Sequence, residues 1–210
     1  MKLVNKKRFC SLPLIWLLAF ITVCGQQEPL VQVNLLDSSI LVDVKYATPD
    51  NFVGSVLYDT NLCFLRQSVA KRLVRVQQRL QQQGLGLKIL DGYRPLSVQK
   101  KMWKLMPDSR YVADPQKGSR HNRGAAVDVT LVDHAGRELE MPTAYDDFTE
   151  KAHRDYQALP PAAIQHRAIL QQAMQAEGFL PLTSEWWHFD APNWQNYALL
   201  DIPLKTIHKR

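Results

Sequence analysis

Two short stretches of the sequence carry side chains that could bind one metal ion between them. The first, SRHNRGAAVDVT, contains His121 and Asp128, and the second, SEWWHF, contains Glu185 and His188. Imidazoles and carboxylates are ordinary zinc ligands, and a catalytic zinc site usually has three protein ligands and one position left open for water. His121, Asp128 and His188 are therefore candidate ligands. Glu185 is a candidate base, because a carboxylate that is not a ligand can take a proton from an activated water.

The residues around Asp128 predict which way its side chain points. Side chains alternate between the two faces of a strand, so three apolar residues would share the face opposite to Asp128. These are Val127, Val129 and Leu131. An isolated buried carboxylate is costly, so Asp128 must be solvated, hydrogen-bonded or bound to a cation. Gly124 permits a tight turn, which could bring His121 and Asp128 onto one ion.

The second stretch is open to two local structures. A spacing of three residues would align Glu185 and His188 on a helix. The consecutive Trp186 and Trp187 favour a strand instead, which places Glu185 in the bend before it, and at least one tryptophan is expected in the core. Each spacing alone occurs often by chance, whereas the order of His, Asp, Glu and His with a glycine turn is much more specific.

The remaining histidines and the cysteine outside the N-terminal segment fit catalysis less well. Cys63 lies in the apolar stretch NLCFL and is expected to be a small buried hydrophobe. The sequence has no G-x-S-x-G motif, and Cys63 has no evident histidine partner, which argues against a serine or cysteine hydrolase. Four further histidines lie in polar stretches or in the tail and are expected at the surface: His134, His153, His166 and His208.

Residues 1–25 are predicted to be an export signal. MKLVNKKRF carries four cations and no acid, and an apolar run ending at small residues follows. Two processing sites are possible, lipidation at Cys24 in a lipoprotein box or cleavage after Gly25, and both place the mature chain outside the cytoplasm. An uncleaved anchor is less favoured, since Pro13 interrupts the run. Removing the four cations lowers the net charge from +6 to +2, which removes the main support for a nucleic-acid partner.

Residues 26–210 are predicted to form one α+β domain, with a mainly antiparallel sheet, packed helices and a zinc site at the sheet. No regular alternation of strand and helix is present. Three helices are predicted, over RQSVAKRLVRVQQRLQQQG, over LSVQKKMWKLMP with Ser97 as the N-cap, and over PPAAIQHRAILQQAMQAEGF. Strands are predicted in Leu30–Thr48 (one or two), LGLKILDGYRP, AAVDVTLVD, TSEWWHFDAP and, as a closing edge strand, NYALLDIPL.

Three motifs resemble those of a known family. SRHNRGAAVDVTL follows the pattern S-x-H-x-x-G-x-A-x-D, SEWWHF follows E-x-W-H, and DGYRP precedes both. On these motifs the chain resembles the D-alanyl-D-alanine dipeptidases, which belong with the zinc D,D-carboxypeptidases and related cell-wall peptidases. AYDDFTEKAH and NFVGSVLYDTNLCFL are similar to weaker blocks of the same family. The resemblance runs from about Leu36 to about Pro203.

The resemblance implies a role for each matching residue. His121, Asp128 and His188 look like the three ligands of one zinc ion per chain, and Glu185 looks like the catalytic base. Arg94, in DGYRP, looks like the arginine that stabilises the transition state. The implied substrate is the dipeptide D-Ala-D-Ala, whose two charged ends must be recognised. Two residues are candidates for that recognition: Ser119 for the carboxylate and Asp146 for the ammonium.

Two other functions remain open from the sequence. The first is a D,D-carboxypeptidase or endopeptidase that acts on peptidoglycan stem peptides with the same zinc chemistry. An export signal favours it, since an exported enzyme meets the cell wall directly. The second is a zinc-stabilised module that binds cell-wall peptides without cutting them. Glu185 argues against the second, because a binding module has no need of a base beside the ion.

Overall fold

The computed structural model describes residues 28–207, so the predicted export signal and Cys24 lie outside the described residues. Within residues 28–207, no helix combines the length and the apolar character that crossing a bilayer requires. The helices are α1 (Val33–Leu36), α2 (Gln67–Gln81), α3 (Leu96–Leu105), α4 (Pro161–Ala176) and α5 (Leu204–Ile207). The strands are β1 (Leu30–Gln32), β2 (Leu41–Val42), β3 (Phe64–Arg66), β4 (Leu85–Asp91), β5 (Ala126–Asp133), β6 (Leu180–Pro181) and β7 (His188–Asp190).

A five-stranded sheet with the order β2-β4-β5-β7-β6 forms the centre of the domain. Only the β2–β4 pair in this sheet is parallel, and a separate antiparallel pair joins β1 to β3. The predicted α+β class with a mainly antiparallel sheet is thus confirmed. The register places Asp128 of β5 between Asp91 of β4 and His188 of β7. Three of the polar side chains that matter below therefore lie in one row across the sheet.

The hydrophobic core fills one face of this sheet, as the residue patterns predict. Val127, Val129 and Leu131 of β5 are fully buried in it. Helix α2 buries the stripe predicted from its periodicity, which consists of Val69, Leu73, Val76 and Leu80. Each such side chain stabilises the fold by about 1.5–3 kcal/mol when it is removed from water. This packing fixes the backbone of β5 and so turns Asp128 towards the other face.

Helix α2 has a cap from a distant residue. No side chain caps it locally, but the Glu28 carboxylate accepts a hydrogen bond of 2.8 Å from the Ser68 backbone N–H. A carboxylate at a helix N-terminus also interacts favourably with the helix dipole. Gly84 follows the end of the helix with a φ of +73°, as expected of a residue that stops a helix in the left-handed region. Glu28 thus helps to hold the N-terminus of α2.

Two local predictions are wrong. Helix α3 begins at Leu96 after Pro95, so Ser97 lies inside it, and the Ser97 N–H is capped by Asp201 Oδ1 at 2.8 Å. The predicted closing strand over residues 196–204 does not form. Its backbone instead contacts a turn and a helix start: the Leu200 N–H donates to the carbonyl of Asn122, and the Leu200 carbonyl accepts from the N–H of Leu96. In Leu30–Thr48, two short strands form, with the one-turn helix α1 between them.

Candidate metal centre

His121, Asp128 and His188 converge on one point, with one ligand atom each. His121 Nε2 lies 3.1 Å from His188 Nδ1 and 3.4 Å from Asp128 Oδ1. His188 Nδ1 lies 2.9 Å from Asp128 Oδ1. Ligand atoms about 2.0–2.1 Å from a tetrahedral zinc ion would lie about 3.3 Å apart. All three side chains are buried, so the size of this triangle and its donor set fit a zinc ion.

Each ligand is brought to this point by a different element. Asp128 and His188 are cross-strand partners on β5 and β7. His121 begins the 3-10 turn His121–Arg123, which ends at Gly124 with a φ of +65°. A side chain on Gly124 would be strained at that angle and would place its Cβ 2.6 Å from Leu30 Cδ2. The glycine is therefore required for the turn that returns His121 to the sheet.

A second hydrogen bond holds each ligand. His121 Nδ1 lies 2.8 Å from the Gly92 carbonyl, and His188 Nε2 lies 2.9 Å from Asp190 Oδ1. The Tyr145 hydroxyl donates to Asp128 Oδ2 at 2.8 Å. The carbonyl and the carboxylate place a proton on the outer nitrogen of each ring, which leaves the inner nitrogen free to bind a metal. Such partners fix ring orientation and raise the basicity of the ligand.

The close contacts in the cluster shift the pKa values of His188 and Asp128 in opposite directions. Burial acts to lower the pKa of His188, but hydrogen bonds to Asp128 and Asp190 outweigh it and raise that pKa to about 10. Burial acts to raise the pKa of Asp128, but His121 and His188 hold it well below its usual value. The Asp128 carboxylate therefore favours positive charge at the point where the three side chains meet. Because a metal binds neutral imidazole, its binding releases protons from this cluster.

Glu185 lies beside the cluster in the bend that joins β6 to β7. The bend is not helical, which confirms the prediction made from the two tryptophans. Trp186 and Trp187 are both buried. Glu185 Oε2 lies 3.9 Å from His188 Nδ1, and 22% of the side chain is exposed. Burial raises the pKa of Glu185 above its ordinary value, a direction that suits a group required to accept a proton near neutral pH.

Arg94 is buried after the end of β4, with its guanidinium held on several sides. It donates to Asp91 Oδ2 at 2.7 Å and to Gln99 Oε1 at 2.9 Å, and it lies 5.0 Å from the centre of the Tyr46 ring. Asp91 is fully buried and also accepts hydrogen bonds from the Tyr58 hydroxyl and the Gly92 N–H. A buried cation fixed in this way is not a surface arginine, since its orientation is set by the protein.

Gly92 places the backbone of DGYRP against the strand that precedes α2. A Cβ on Gly92 would lie 2.4 Å from Cys63 Sγ and 3.1 Å from the Phe64 carbonyl oxygen. No larger residue fits there without moving the chain that carries the Gly92 carbonyl, the partner of His121. Cys63 is buried, as predicted, and burial raises the pKa of its thiol.

A cleft of about 530 Å³ brings all seven predicted site residues together: Arg94, Ser119, His121, Asp128, Asp146, Glu185 and His188. Ser119 Oγ accepts a hydrogen bond of 3.2 Å from the His121 N–H. Asp146 has a φ of +59°, which is uncommon for a residue other than glycine. Its carboxylate accepts from the Tyr46 hydroxyl at 3.0 Å, and burial raises its pKa well above the usual value.

Sequence reasoning missed the residues that orient the ligands. Asp190 could have been found, because residues two apart in a strand share a face and His188 precedes it by two. Asp91 stands in the same DGYRP motif as Arg94 but was not singled out. The sequence around Tyr145 does not indicate its role, because its contact with Asp128 depends on how its loop packs in the folded protein. Three histidines predicted at the surface are exposed or half-buried and do not line the cleft: His134, His153 and His166.

Known proteins are similar to this chain over nearly its whole domain. A family model described as D-ala-D-ala dipeptidase matches residues 26–203. The D-alanyl-D-alanine dipeptidase of Escherichia coli K12 is 37% identical over 171 residues, which cover 81% of this chain and 89% of that protein. The Streptomyces coelicolor protein of the same name is 33% identical over 181 residues (75% and 88%), and the Enterococcus faecium one 29% over 187 residues (78% and 92%).

Proposed function

Since this chain belongs to the D-Ala-D-Ala dipeptidase family of zinc metallopeptidases, we propose that it hydrolyses the dipeptide D-Ala-D-Ala. The single observation that carries the proposal is the convergence of His121, Asp128 and His188 beside the Glu185 carboxylate. We propose those three residues as ligands of one zinc ion per chain. A zinc ion bound there supplies Lewis-acid chemistry, which lowers the pKa of water and polarises a peptide carbonyl.

Glu185 is the proposed general base and then the general acid. It takes the proton of the attacking water and later gives that proton to the amine that leaves when the peptide bond breaks. Its side chain reaches into the cleft next to the ligand triangle, yet remains partly exposed. A raised pKa brings its proton affinity closer to neutral pH, where proton transfer in both directions is efficient.

Arg94 is the proposed stabiliser of the transition state. Its guanidinium lines the cleft that also holds Glu185 and the three ligands. The negative charge that develops on the peptide oxygen would receive hydrogen bonds from donors whose position is already fixed by Asp91 and Gln99. Donors of this kind need no rearrangement during the reaction, which is why they lower the barrier more than mobile ones do.

Asp146 and Ser119 are proposed to recognise the two ends of the dipeptide. Burial makes the Asp146 carboxylate costly to ionise and raises its pKa, and a substrate ammonium would compensate for that cost. Ser119 Oγ accepts a hydrogen bond from His121 but keeps its own proton, which it can donate to a carboxylate. Both side chains line the cleft around the candidate metal centre.

The protein is proposed to act outside the cytoplasm, in the periplasm or anchored to a membrane through Cys24. The basic and apolar composition of residues 1–25 supports this proposal. Export would place the enzyme where peptides of the cell wall are released. N-terminal sequencing and mass spectrometry of the protein from cell fractions test it: a start at Gln26 indicates simple cleavage, and a lipid mass on Cys24 indicates anchoring.

A D,D-carboxypeptidase acting on stem peptides is the second candidate function. The size of the cleft favours it, because about 530 Å³ lies in the range of pockets that hold ligands larger than a dipeptide. Release of D-Ala from a stem pentapeptide, compared with hydrolysis of free D-Ala-D-Ala at equal concentration, separates the two functions. The dipeptidase proposal requires a much higher kcat/KM for the free dipeptide.

Metal content and hydrolysis measured on the same preparation test the main proposal. We expect about one zinc ion per chain. We also expect hydrolysis of D-Ala-D-Ala to stop after treatment with a chelator and to return when zinc is added. Hydrolysis that persists in fully metal-free protein would overturn the zinc mechanism. Stoichiometric zinc without hydrolysis of any D-Ala-terminated peptide would instead support the binding module.

A further inference from the structure

The bend that carries Glu185 is held from outside by one arginine. The bend spans residues 182–187 and joins β6 to β7. Arg154 donates from Nε to the Leu182 carbonyl at 2.7 Å and from a terminal nitrogen to the His188 carbonyl at 2.8 Å. Its backbone N–H donates to the Thr183 carbonyl at 2.9 Å. One residue therefore bonds to both ends of the segment in which Glu185 and the ligand His188 lie.

Arg154 is itself fixed from two directions. Its remaining terminal nitrogen lies 3.3 Å from Gln171 Oε1 of α4, and its guanidinium lies 4.3 Å from the centre of the Phe189 ring in β7. Arg167, also on α4, donates to the carbonyls of His153 and Tyr156 and so holds the loop that carries Arg154. Helix α4 thus supports Arg154, and Arg154 supports the bend.

The partners of this guanidinium set it apart from an ordinary ion pair. Within residues 28–207, the three hydrogen bonds of the guanidinium go to neutral oxygens, those of Leu182, His188 and Gln171. Placing a cation in a half-buried site without a paired carboxylate is costly. The planar guanidinium can bond two carbonyls at once in a fixed geometry, which the single ammonium of lysine cannot do. The geometry is therefore suited to fixing the distance between the two ends of the bend.

We propose that Arg154 is a positioning residue for Glu185, which it holds at its place beside the metal ligands by clamping both ends of the β6–β7 bend. This inference rests on the proposed function, because the role of Glu185 as base is part of that proposal. Arg154 is not among the residues that line the cleft. It acts through the backbone, so its loss should impair the chemical step more than substrate binding.

Kinetics of the full chain with Arg154→Lys and Arg154→Ala test the clamp. A displacement of a catalytic group by about 1 Å can cost about 100-fold in rate. We expect kcat to fall by about that factor in Arg154→Ala, with KM changed by less than about threefold and zinc content unchanged. Added guanidinium at millimolar concentration should restore part of kcat in Arg154→Ala, and Arg154→Lys should lose nearly as much activity as alanine.

Arg72→Lys is the matched control. Arg72 is also half-buried and donates to one backbone carbonyl, that of Glu177 at 3.0 Å, and neither residue lines the cleft. The Arg72→Lys substitution should leave kcat at the wild-type value. An unchanged kcat in Arg154→Ala overturns the proposal. So does a loss of activity that follows loss of zinc, or one that guanidinium does not restore.

Hydrogen exchange gives a readout that does not depend on catalysis. In the zinc-loaded protein, backbone amides of residues 182–188 should exchange faster in Arg154→Lys than in wild type, and Arg72→Lys should show no such change. If the wild type proves inactive on D-Ala-D-Ala, the proposed function fails, but exchange still tests the clamp. Equal exchange across this segment in wild type and Arg154→Lys would sink the clamp whatever the substrate proves to be.

Discussion

The site has two halves that are built differently. The ligand half consists of the three proposed metal ligands, and the reaction half consists of Glu185, Arg94 and Asp146. The three proposed ligands lie on β5, on β7 and in a glycine-closed turn, and each has a second hydrogen-bond partner within 2.9 Å. Glu185 lies in a bend between strands, and Asp146 lies in a loop with a left-handed backbone. The ligand half is therefore held by the sheet, whereas the reaction half is held by connections between elements.

This difference follows from what each half must do. A tetrahedral metal site tolerates little error in ligand position, and cross-strand partners supply that accuracy at low cost. The base and Asp146 lie in connecting segments, where functional side chains are often carried, so they depend on support from outside the sheet, such as the bonds from Arg154 to the Glu185 bend. The consequence is that substitutions in the two halves should fail in different ways: the first in metal affinity, the second in rate.

The largest effect is expected from Glu185→Gln, which removes the proposed base and leaves the ligands intact. We expect kcat to fall by about 100- to 10,000-fold, the range for loss of general acid–base catalysis, while zinc content stays at the wild-type value. Steady-state kinetics and metal analysis on one preparation measure both. Glu150→Gln, which removes an exposed carboxylate, is the control. Full activity in Glu185→Gln would contradict the assigned role.

A somewhat smaller loss is expected from Arg94→Lys. The ammonium keeps the positive charge beside Asp91 but cannot reproduce the fixed donors of the guanidinium. We expect kcat to fall by about 100- to 1,000-fold, the effect of removing one donor to the developing oxyanion, without loss of zinc. A variant that loses zinc and rate together would show that Arg94 belongs to the ligand half, which would break the division drawn above.

Asp190→Asn should show the opposite pattern, since Asp190 orients His188. Loss of such a partner typically lowers metal affinity by about 10- to 100-fold. We expect that decrease in zinc affinity, measured by competition with a chromogenic chelator, and near-normal kcat once the site is saturated. Asp59→Asn, which changes a surface carboxylate 3.5 Å from Lys205, should change neither quantity. Normal zinc affinity in Asp190→Asn would contradict the proposed support of the ligand.

The smallest effect is expected at Glu177, which belongs to neither half. Hydrogen bonds from Arg79 and then Arg75 hold the pKa of Glu177 below its ordinary value. A lowered folded-state pKa stabilises the protein above the unfolded pKa, and the contribution is lost as the pH falls through the folded pKa. Glu177→Gln should therefore reduce the free energy of unfolding by about 1 kcal/mol at pH 7.

Denaturant unfolding across pH checks this assignment. The difference in unfolding free energy between Glu177→Gln and wild type should shrink as the carboxyl is protonated in acid. At every pH, kcat and zinc affinity of the variant should equal those of wild type. If the difference in unfolding free energy stays constant from pH 7 into acid, the ion pairs of Glu177 with Arg75 and Arg79 are not its cause.

The local structure around the three proposed ligands could be predicted from the sequence, because the signals are local. Apolar residues on one face of β5 force Asp128 to the other, Gly124 allows the turn after His121, and the tryptophans indicate a strand at His188. Each of these signals depends on a few neighbouring residues. The helix periodicity of α2 is of the same kind, and the structure confirms all four.

What could not be predicted depends on contacts between distant segments. The Tyr145 hydroxyl reaches Asp128 only because the loop before α4 packs over β5, and Asp201 caps α3 from more than a hundred residues away. The edge strand expected over residues 196–204 failed for the same reason. The backbone of Leu200 pairs with Asn122 in the turn after His121 and with Leu96 at the start of α3, and not with a sheet edge.

The close approach of Cys63 to Gly92 makes the thiol a native reporter of motion at the metal centre. Alkylating reagents cannot reach a sulfur that is covered by the same backbone that orients His121. Separation of these two segments would expose the sulfur, so the modification rate of the peptide containing Cys63, followed by mass spectrometry, reports on opening next to the candidate metal centre. If binding of zinc or substrate reduces this motion, Cys63 should be labelled more slowly.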